Sequence, residues 1–234
     1  MMKSPNRQFK DDIYEQFSRI GKAVSSPKRL ELLDLLCQGE KTVETLTQET
    51  DLTLANTSQH LQVLRAARLI DAEKEGLYVK YRLADQMVCR FFRSMRVLAE
   101  NRLAEVEMIK RRFLKSREGM EPVDRIDLLK RVKDGAVTVL DVRPTEEYRT
   151  GHIPGALSVP LGKLKQLLSK LSRDQEIVAY CRGPYCVLAV QAVEMLRKKG
   201  FKAIRLEEGI QDWLAMGHSI SVGEEKTPFH EDSN

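Results

Sequence analysis

The first half of the chain places its apolar residues at the spacing of amphipathic helices. In "IYEQFSRIGKAVS" they are three or four positions apart, as on one face of a helix: Ile13, Phe17, Ile20 and Val24. Pro27 stands where a second helix begins in "PKRLELLDLLCQG", and Gly39 stands where it ends. A short helix follows in "TVETLTQET", capped by Thr42, and "DLTLANTSQHLQVLRAARLI" contains a turn and a longer helix. The pattern therefore predicts a cluster of four helices.

The next segment changes to the two-residue period of a β-strand. The alternating pairs are Leu77, Val79 and Tyr81 on one side and Tyr78, Lys80 and Arg82 on the other. Gly76 precedes this run and marks the tip of a predicted hairpin.

Residues 86–117 return to helical spacing and predict one long amphipathic helix. Its apolar positions are Val88, Phe92, Met95, Ala99, Leu103, Val106, Ile109 and Phe113. Such a helix is about 45 Å long at 1.5 Å per residue. Because a small domain cannot cover that stripe alone, we expect a homodimer built on helix 86–117 together with the first helix.

The second half alternates strands with helices. The predicted strands are "AVTVLDVR", "EIVAYC" and "FKAIRLE", and the predicted helices are "KLKQLLSKL", "VLAVQAVEMLRKKG" and "GIQDWLAMG". This alternation is typical of a parallel sheet with helices on its faces. The charged segment "KSREGMEP" separates the two patterns. We therefore expect one domain over residues 1–118 and a second over residues 119–234.

Composition and charge limit the class of protein. Of the 234 residues, 42% are hydrophobic, but no apolar stretch reaches the roughly 18 residues that span a bilayer. The polar N-terminus does not resemble a signal peptide, so we expect a cytoplasmic protein without membrane contact. Residues 1–118 contain 22 basic and 17 acidic residues, whereas residues 119–234 contain 17 of each. This asymmetry favours a polyanion, such as nucleic acid, as partner of the first half.

The order of elements in the first half is that of a winged helix-turn-helix. "RLELLDLLCQGEKTVETL", "TSQHLQVLRAARLI" and "KEGLYVKYRL" occur in the order found in the ArsR family of small dimeric bacterial repressors, and the kernel S-x-H-L-x-x-L runs from Ser58 to Leu64. Over about residues 15–115 the chain resembles that family. The resemblance implies a mainly-α domain with a β-hairpin wing, a repressor of transcription, and binding to double-stranded operator DNA as a homodimer.

The polar residues of this region suggest how DNA would be contacted. Leu54, Leu61 and Leu64 give the longer helix a buried face. The candidate DNA-binding residues are Asn56, Thr57, Ser58, Gln59, His60 and Arg65 on that helix and Lys74, Lys80 and Arg82 in the hairpin. The helix residues could bond base edges, and the hairpin cations could bond phosphates. For any single one of them, the alternative is a side chain that only contacts solvent.

The cysteines decide what such a regulator could sense. The region "KTVETLTQ" has no cysteine and the last helix has no histidine, so neither of the familiar metal sites of the ArsR family is present, and we predict no metal and no cofactor. Some relatives sense reactive sulfur through one cysteine on an early helix and one on the last helix. Cys37 and Cys89 lie on the corresponding elements. Two buried small hydrophobic residues are the alternative.

The second half resembles rhodanese-like domains over about residues 120–220. The resemblance rests on "LDVRPTEEYRTGHIPGALSVP", on "GIQDWLAMGH" with Gly209 and Trp213, and on the strand, cysteine loop and helix between them. It implies an α/β parallel sheet and a persulfide on the first cysteine of the loop, which is Cys181. Rhodanese-like phosphatases need Arg six positions after that cysteine, where this chain has Val187, so phosphatase activity is disfavoured.

The loop "CRGPYC" suits a reactive thiolate. The candidate catalytic residues are Cys181, Arg182 and Cys186, and the other loop residues are Gly183, Pro184 and Tyr185. The positive end of the helix that begins near Val187 favours the thiolate, and Arg182 adds positive charge. Cys186 could resolve a persulfide on Cys181 into a disulfide. Alternatively, it is simply the buried first residue of the helix.

Three functions follow from this combination of domains. In the first, a transcriptional regulator couples sulfur or redox state to DNA binding, with thiosulfate or polysulfide as sulfur donor. In the second, the chain is a thiosulfate or persulfide sulfurtransferase whose DNA-binding domain controls its own expression. In the third, the chain is a redox switch that uses a Cys181–Cys186 disulfide. A regulator with a catalytically inactive rhodanese-like module is a further alternative.

Overall fold

The structure is a computed structural model that describes residues 4–115, 117, 120, 128, 130, 131, 134 and 136–225. The chain divides into two compact units, Met1–Arg102 and Leu103–Asn234. The predicted domain bounds, 1–118 and 119–234, stay a prediction. No helix among the described residues combines the length and the apolarity that crossing a bilayer requires.

The first unit is a bundle of helices with a small antiparallel sheet. Its elements are α1 (Pro5–Val24), α2 (Pro27–Leu36), β1 (Lys41–Thr42), α3 (Val43–Thr50), α4 (Leu54–Ala66), β2 (Ile70–Glu75), β3 (Tyr78–Leu83) and α5 (Gln86–Arg102). Strand β3 lies between β1 and β2. The four predicted helices and the hairpin are thus confirmed, with Gly76 at the tip in a left-handed conformation, φ 61°. Leu77, predicted in the strand, instead lies in the turn and is 96% exposed.

Side-chain caps explain where these helices begin. Thr42 and Thr53 are the N-caps of α3 and α4, and their hydroxyl oxygens accept hydrogen bonds from the backbone N–H of Thr45 and Asn56, both at 3.3 Å. Helix α2 is the centre of the unit, because Leu32 and Leu33 are fully buried against the apolar residues of α3 and α4. The N-terminal residues Leu54, Ala55 and Asn56 of α4 remain exposed.

The predicted single helix over residues 86–117 is wrong. Helix α5 ends at Arg102, and α6 (Ala104–Leu114) begins after Leu103, whose backbone is extended (φ −111°, ψ 99°). Helix α6 makes its contacts within the second unit: Lys110 pairs with Glu207 at 2.8 Å, and Leu114 packs on the core of that unit. These contacts account for the break better than the local sequence does, because the apolar spacing continues through it.

The second unit is built on a parallel sheet, as the sequence predicted, but the sheet has a fourth strand, Leu157–Ser158, that the sequence pattern did not predict. After α6 its described elements are β4 (Val137–Asp141), α7 (Thr145–Thr150), β5 (Leu157–Ser158), α8 (Leu161–Leu167), a 3₁₀ turn (Leu168–Lys170), β6 (Glu176–Tyr180), α9 (Val187–Lys198), β7 (Ala203–Arg205) and α10 (Ile210–Ala215). The strand order is β5–β4–β6–β7. Strand β6 is therefore interior to the sheet, and the cysteine loop follows its carboxyl end.

Both faces of this sheet are buried, as parallel sheets require. Ile177 and Ala179 of β6 contribute to a core with α8 and α9, whereas Val178 and Tyr180 contribute to a core with α10. Cys181 belongs to the first of these cores. The sheet thus fixes the side of the molecule on which the cysteine lies.

Candidate functional site

The cysteine loop joins the end of β6 to the start of α9. Cys181 and Cys186 form a disulfide, with their Cα atoms 6.2 Å apart. Cys181 is 1% exposed, while Cys186 is partly exposed and is the N-cap residue of the twelve-residue helix α9. The N–H of Cys186 donates to the carbonyl oxygen of Gly183 at 3.1 Å, which closes the turn. In this disulfide form, an attacking thiol reaches Cys186 more readily than Cys181.

Gly209, at the start of the predicted closing motif, lies directly against this loop. A Cβ atom at that position would be 1.9 Å from the carbonyl oxygen of Arg182 and 2.6 Å from the nitrogen of Gly183. The φ of Gly209 is −100°, so the requirement for glycine is the close approach and not the backbone conformation. Gly209 therefore fixes where the loop backbone runs.

A fully buried polar network supports the strand end that carries Cys181. The guanidinium of Arg143 donates to both carboxylate oxygens of Asp141, and the hydroxyl of Tyr180 donates to Asp141 Oδ2 at 2.6 Å. The N–H of Ile153 donates to the Tyr180 hydroxyl oxygen at 3.1 Å. Burial, together with the charge of Asp141, raises the pKa of Tyr180 well above its ordinary value. These groups satisfy one another, so the network stabilises the strand and leaves no donor for a substrate.

Arg182 does not extend freely into solvent beside the thiols. Its guanidinium donates to both carboxylate oxygens of Glu147 of α7, with Nη2 2.6 Å from Oε1. Glu147 is itself buried. The positive charge that the sequence suggested for the thiolate is thus already compensated by a carboxylate.

Arg205 was missed by the sequence analysis, and it contacts the loop from β7. Its Nη1 donates to the carbonyl oxygen of Pro184 at 3.0 Å, and the residue is 2% exposed. Burial lowers the pKa of Arg205 below its ordinary value, although Glu207 and Glu208 act in the opposite direction. The only signal in the sequence was one arginine inside the apolar strand segment "FKAIRL".

The helix-turn-helix residues lie mostly where the sequence placed them. Asn56, Gln59 and Arg65 of α4 are exposed, and Ser58 and His60 are partly exposed. These five residues could reach a DNA duplex in the manner of a recognition helix.

Two residues of α4 were assigned to the wrong face. Thr57 is fully buried and its hydroxyl donates to the carbonyl oxygen of Thr53 at 3.0 Å, so the predicted DNA contact of Thr57 is wrong. It precedes the buried Leu61 by one helical turn, and residues four apart share a face. Leu54, predicted buried, is 52% exposed, because it lies at the first turn of the helix, outside the core.

The wing carries its three cations in different surroundings. Lys74 is exposed, and Arg82 lies 3.9 Å from Asp71 on the paired strand. Lys80 pairs with Glu75 and, at 3.1 Å, with Glu40, and its hydrogen bonds to these carboxylates raise the pKa of Lys80 above its ordinary value. A phosphate that approaches Lys80 must therefore compete with two carboxylates.

The first unit also contains a cysteine pair. Cys37 is the C-cap residue of α2, Cys89 lies in the first turns of α5, and the structure joins them in a disulfide with Cα atoms 5.6 Å apart. Both residues are buried. The covalent link thus connects the central helix α2 to α5.

Comparison with known proteins supports the division into two kinds of domain. Residues 26–72 match the family described as "Bacterial regulatory protein, arsR family", and residues 124–216 match "Rhodanese-like domain". The chain is 41% identical over 211 residues to the HTH-type transcriptional regulator Rv0324 of Mycobacterium tuberculosis. The matched region covers 90% of this chain and 92% of that protein.

Two further relatives each match one domain. The putative sulfur carrier protein YrkF of Bacillus subtilis is 35% identical over 81 residues, 34% of this chain and 43% of its own. The solution structure of the homodimeric winged helix-turn-helix domain of Mb0332 from Mycobacterium bovis is 37% identical, covers 44% of this chain and 94% of its own, and has a TM-score of 0.40. From the match along nearly its whole length, this chain belongs to the ArsR family of transcriptional regulators, in a form in which the helix-turn-helix is fused to a rhodanese-like domain.

Proposed function

We propose that the protein is a cytoplasmic, homodimeric repressor whose binding to operator DNA responds to reactive sulfur. The observation that carries this proposal is that each of the two domains holds its own pair of cysteines within disulfide distance. The Cα separations of 5.6 Å and 6.2 Å fall within the range of about 4.4–6.8 Å that disulfides require. Both pairs can therefore interconvert between dithiol and disulfide without moving the backbone far.

In the DNA-binding domain, α4 is the recognition helix. Asn56, Ser58, Gln59 and His60 contact base edges or phosphates near its N-terminus, with Arg65 behind them. Lys74, Lys80 and Arg82 of the wing contact phosphates and supply affinity that does not depend on sequence.

The dimer forms through the apolar faces of α1 and α5 that the isolated chain leaves open. Phe9, Tyr14 and Phe17 of α1 and Met87 and Leu98 of α5 are exposed large apolar side chains. The rings of Tyr14 and Phe17 are in edge-to-face contact, with centroids 5.9 Å apart, and clustered exposed apolar side chains mark an interface. A two-fold dimer would present two recognition helices to successive major grooves.

In the rhodanese-like domain, Cys181 carries a persulfide. Loading needs the reduced loop, because neither sulfur of the disulfide can accept sulfane sulfur without first being freed. The Cys181 thiolate attacks the sulfane sulfur of a donor such as thiosulfate or polysulfide, and the remainder of the donor leaves as the anion. The Cys186 thiolate can then attack Sγ of Cys181, release the outer sulfur as hydrosulfide and form the Cys181–Cys186 disulfide. Arg182, Gly183, Pro184 and Tyr185 shape the loop around these steps.

Coupling to DNA requires that one of the cysteine pairs alters the winged helix. Cys37 and Cys89 serve as the sensor, because a bond between α2 and α5 constrains the central helix and a helix of the proposed dimer interface. The rhodanese-like domain supplies the activated sulfur that oxidises this pair. Two relatives support these separate roles: one over 90% of this chain is named an HTH-type transcriptional regulator, and one over 34% of it is named a putative sulfur carrier protein.

The experiment is a titration of DNA binding with sulfur and redox reagents. The reduced protein is bound to a fragment that contains the region upstream of its own coding sequence and is treated separately with polysulfide, peroxide and dithiothreitol. We expect polysulfide to lower the affinity at least tenfold and dithiothreitol to restore it. Cys37→Ser should abolish the response, and Cys181→Ser should slow it.

The outcomes separate the possible roles of the two domains. If no treatment alters DNA affinity while thiosulfate turnover is rapid, the regulatory function is wrong. If Cys37→Ser responds as the wild type does, the sensor is not in the first domain.

A further inference from the structure

The second unit contains three arginines around the cysteine loop that are largely withdrawn from water, and two of them have a carboxylate partner. Arg143 pairs with Asp141, and Arg182 pairs with Glu147. Arg205 is only 2% exposed, yet it forms no ion pair with any described residue. Its Nε has no hydrogen-bond partner within the part of the chain that the structure describes. Glu207 and Glu208 act on the charge of Arg205 from a distance, but no carboxylate among the described residues lies within ion-pair range of it. A buried cation without such a contact is costly, so this residue needs an explanation.

The register of the sheet places Arg205 on the strand next to β6, level with Ala179, two residues before the reactive cysteine. Arg205 is paired with Ala179 across the β6–β7 ladder, and Ala179, Cys181 and Ala203 belong to the same core. Because alternate residues of a strand share a face, Arg205 lies on the same face of the sheet as Cys181, one strand away. Its Nη1 reaches the carbonyl oxygen of Pro184, in the middle of the loop that the Cys181–Cys186 disulfide closes.

In the disulfide form the loop carries no negative charge, because both sulfurs are neutral. Reduction changes this. A thiolate attacks the more exposed Sγ of Cys186, the S–S bond breaks, and its electron pair leaves on Sγ of Cys181. A second thiol then attacks the mixed disulfide, so that two thiols are oxidised and two protein cysteines are reduced. An anion now lies on the buried cysteine.

We propose that Arg205 is the counter-ion of this anion, first of the Cys181 thiolate and then of the persulfide that the thiolate carries. Arg205 is thus a positioning residue. It holds the loop through its hydrogen bond to Pro184 and supplies positive charge to the cysteine, because the charge of Arg182 is neutralised by Glu147. The inference rests on the proposed function only for the persulfide, since the thiolate forms whenever the loop is reduced.

Other charged groups around Cys181 are accounted for. Glu147 and Arg182 neutralise each other on the side of α7, and Asp141 with Arg143 does so beneath Tyr180. Glu207 and Glu208 follow β7 and act on the charge of Arg205, and Glu207 is itself paired with Lys110 at 2.8 Å. Arg205 is therefore the buried arginine of this region that has no carboxylate of the described residues in ion-pair contact, and its charge can act on the cysteine.

The test measures the protonation of Cys181 itself. In the full chain, Cys37, Cys89 and Cys186 are replaced by Ser, and the thiolate is titrated with pH by its ultraviolet absorbance, with the additional Cys181→Ser protein as blank. We expect a pKa for Cys181 clearly below the ordinary thiol value of about 8.5. Arg205→Gln should raise it by about one unit, a tenfold loss of thiolate below the midpoint, and Arg205→Lys should restore most of the shift.

Arg197→Gln is the matched control, because Arg197 also donates to a backbone carbonyl oxygen, that of Ala203, at 2.9 Å. It should leave the Cys181 titration unchanged. If Arg205→Gln lowers the melting temperature but not the thiolate fraction, Arg205 is only structural and the proposal is wrong. If Arg205→Gln does not fold, the test is the pKa of Cys181 in the protein that keeps Arg205 and has the other three cysteines replaced by Ser. A Cys181 pKa at or above the ordinary value in that protein means that no cation acts on the thiolate, and the proposal is wrong.

A second readout uses the loop with both cysteines. A cation that stabilises the reduced form makes the disulfide easier to reduce. Arg205→Gln should therefore shift the equilibrium with dithiothreitol about tenfold toward the Cys181–Cys186 disulfide, which is about 30 mV for a two-electron couple. No DNA and no sulfur donor enters either measurement, so the proposed regulation and the role of Arg205 can fail independently.

Discussion

Gly209 illustrates at the scale of one residue how backbone contact, and not side-chain chemistry, determines the geometry of the cysteine loop. Its Cα lies so close to the peptide between Arg182 and Gly183 that a methyl group would overlap the carbonyl oxygen. Because both partners are backbone atoms, neither can rotate away. The loop and α10 must therefore separate if any side chain is introduced.

We predict that Gly209→Ala destabilises the second unit and disturbs the loop. Overpacking of this kind costs about 1–3 kcal/mol of unfolding free energy, and the Cys181–Cys186 disulfide should form more slowly. Thermal unfolding and mass spectrometry of the loop peptide measure the two effects. Gly162→Ala is the control: Gly162 lies in α8 with no atom within 4 Å of the added Cβ, so stability should stay equal or increase. Equal behaviour of the two variants would contradict the close contact.

The sequence identified the residues that carry the family pattern but not the partners of the charged ones. Cys181, Gly209 and Trp213 follow from motifs with fixed spacing. Thr57 was assigned to the wrong face of α4 because the sequence does not show at which turn the helix first meets the core. Leu54, which was predicted to be buried, is exposed. Two further facts depend on strand register, which one sequence does not reveal. Arg182 contacts Glu147, and Arg205 contacts no carboxylate within the described part of the chain.

At the scale of elements, the period of apolar residues was sufficient to predict a helix or strand wherever that element packs against its neighbours in the sequence. It predicted α1 to α4, the hairpin and the alternating second half. The prediction failed at Leu103, where the apolar residues keep their helical spacing but the helix itself is interrupted. The contacts that hold α6, such as the one between Lys110 and Glu207, join residues 97 positions apart. The spacing of apolar residues within one segment does not reveal such contacts.

The wing is an element whose charge is partly neutralised from within. Lys80 is held by Glu75 and Glu40, so its attraction for phosphate is reduced. We predict that Glu75→Gln strengthens DNA binding severalfold on operator and random DNA alike. The salt dependence of log affinity should become steeper by about one, as for one additional phosphate contact. Fluorescence anisotropy at several salt concentrations measures both quantities.

Glu15→Gln removes the same charge from an exposed position of α1 and is the control for that experiment. It should leave the salt dependence unchanged. An increase in affinity for operator DNA alone would mean that Glu75 takes part in sequence recognition and does not merely hold Lys80.

At the scale of the whole molecule, the positive charge is distributed unevenly along the sequence. The excess of basic residues lies within residues 1–118, where DNA is bound, and the region of the thiol loop is balanced. The candidate DNA contacts and the cysteine loop thus lie in different units of the chain. Under the proposed function, the Cys37–Cys89 pair and the apolar faces of α1 and α5 are the features of the first unit through which sulfur would alter DNA binding.

We predict that Phe17→Glu dissociates the dimer and weakens operator binding. Phe17 is 65% exposed in the isolated chain, so a charge costs little in the monomer but must be buried in a dimer interface, where it is unpaired. Sedimentation should show the monomer at concentrations at which the wild type is dimeric, and operator affinity should fall at least tenfold because one recognition helix alone remains. Val222→Glu places the same charge on an equally exposed apolar residue of the second unit and should not change assembly. A Phe17→Glu protein that sediments as the wild type does would exclude this face of α1 from the interface and leave α5 to form it alone.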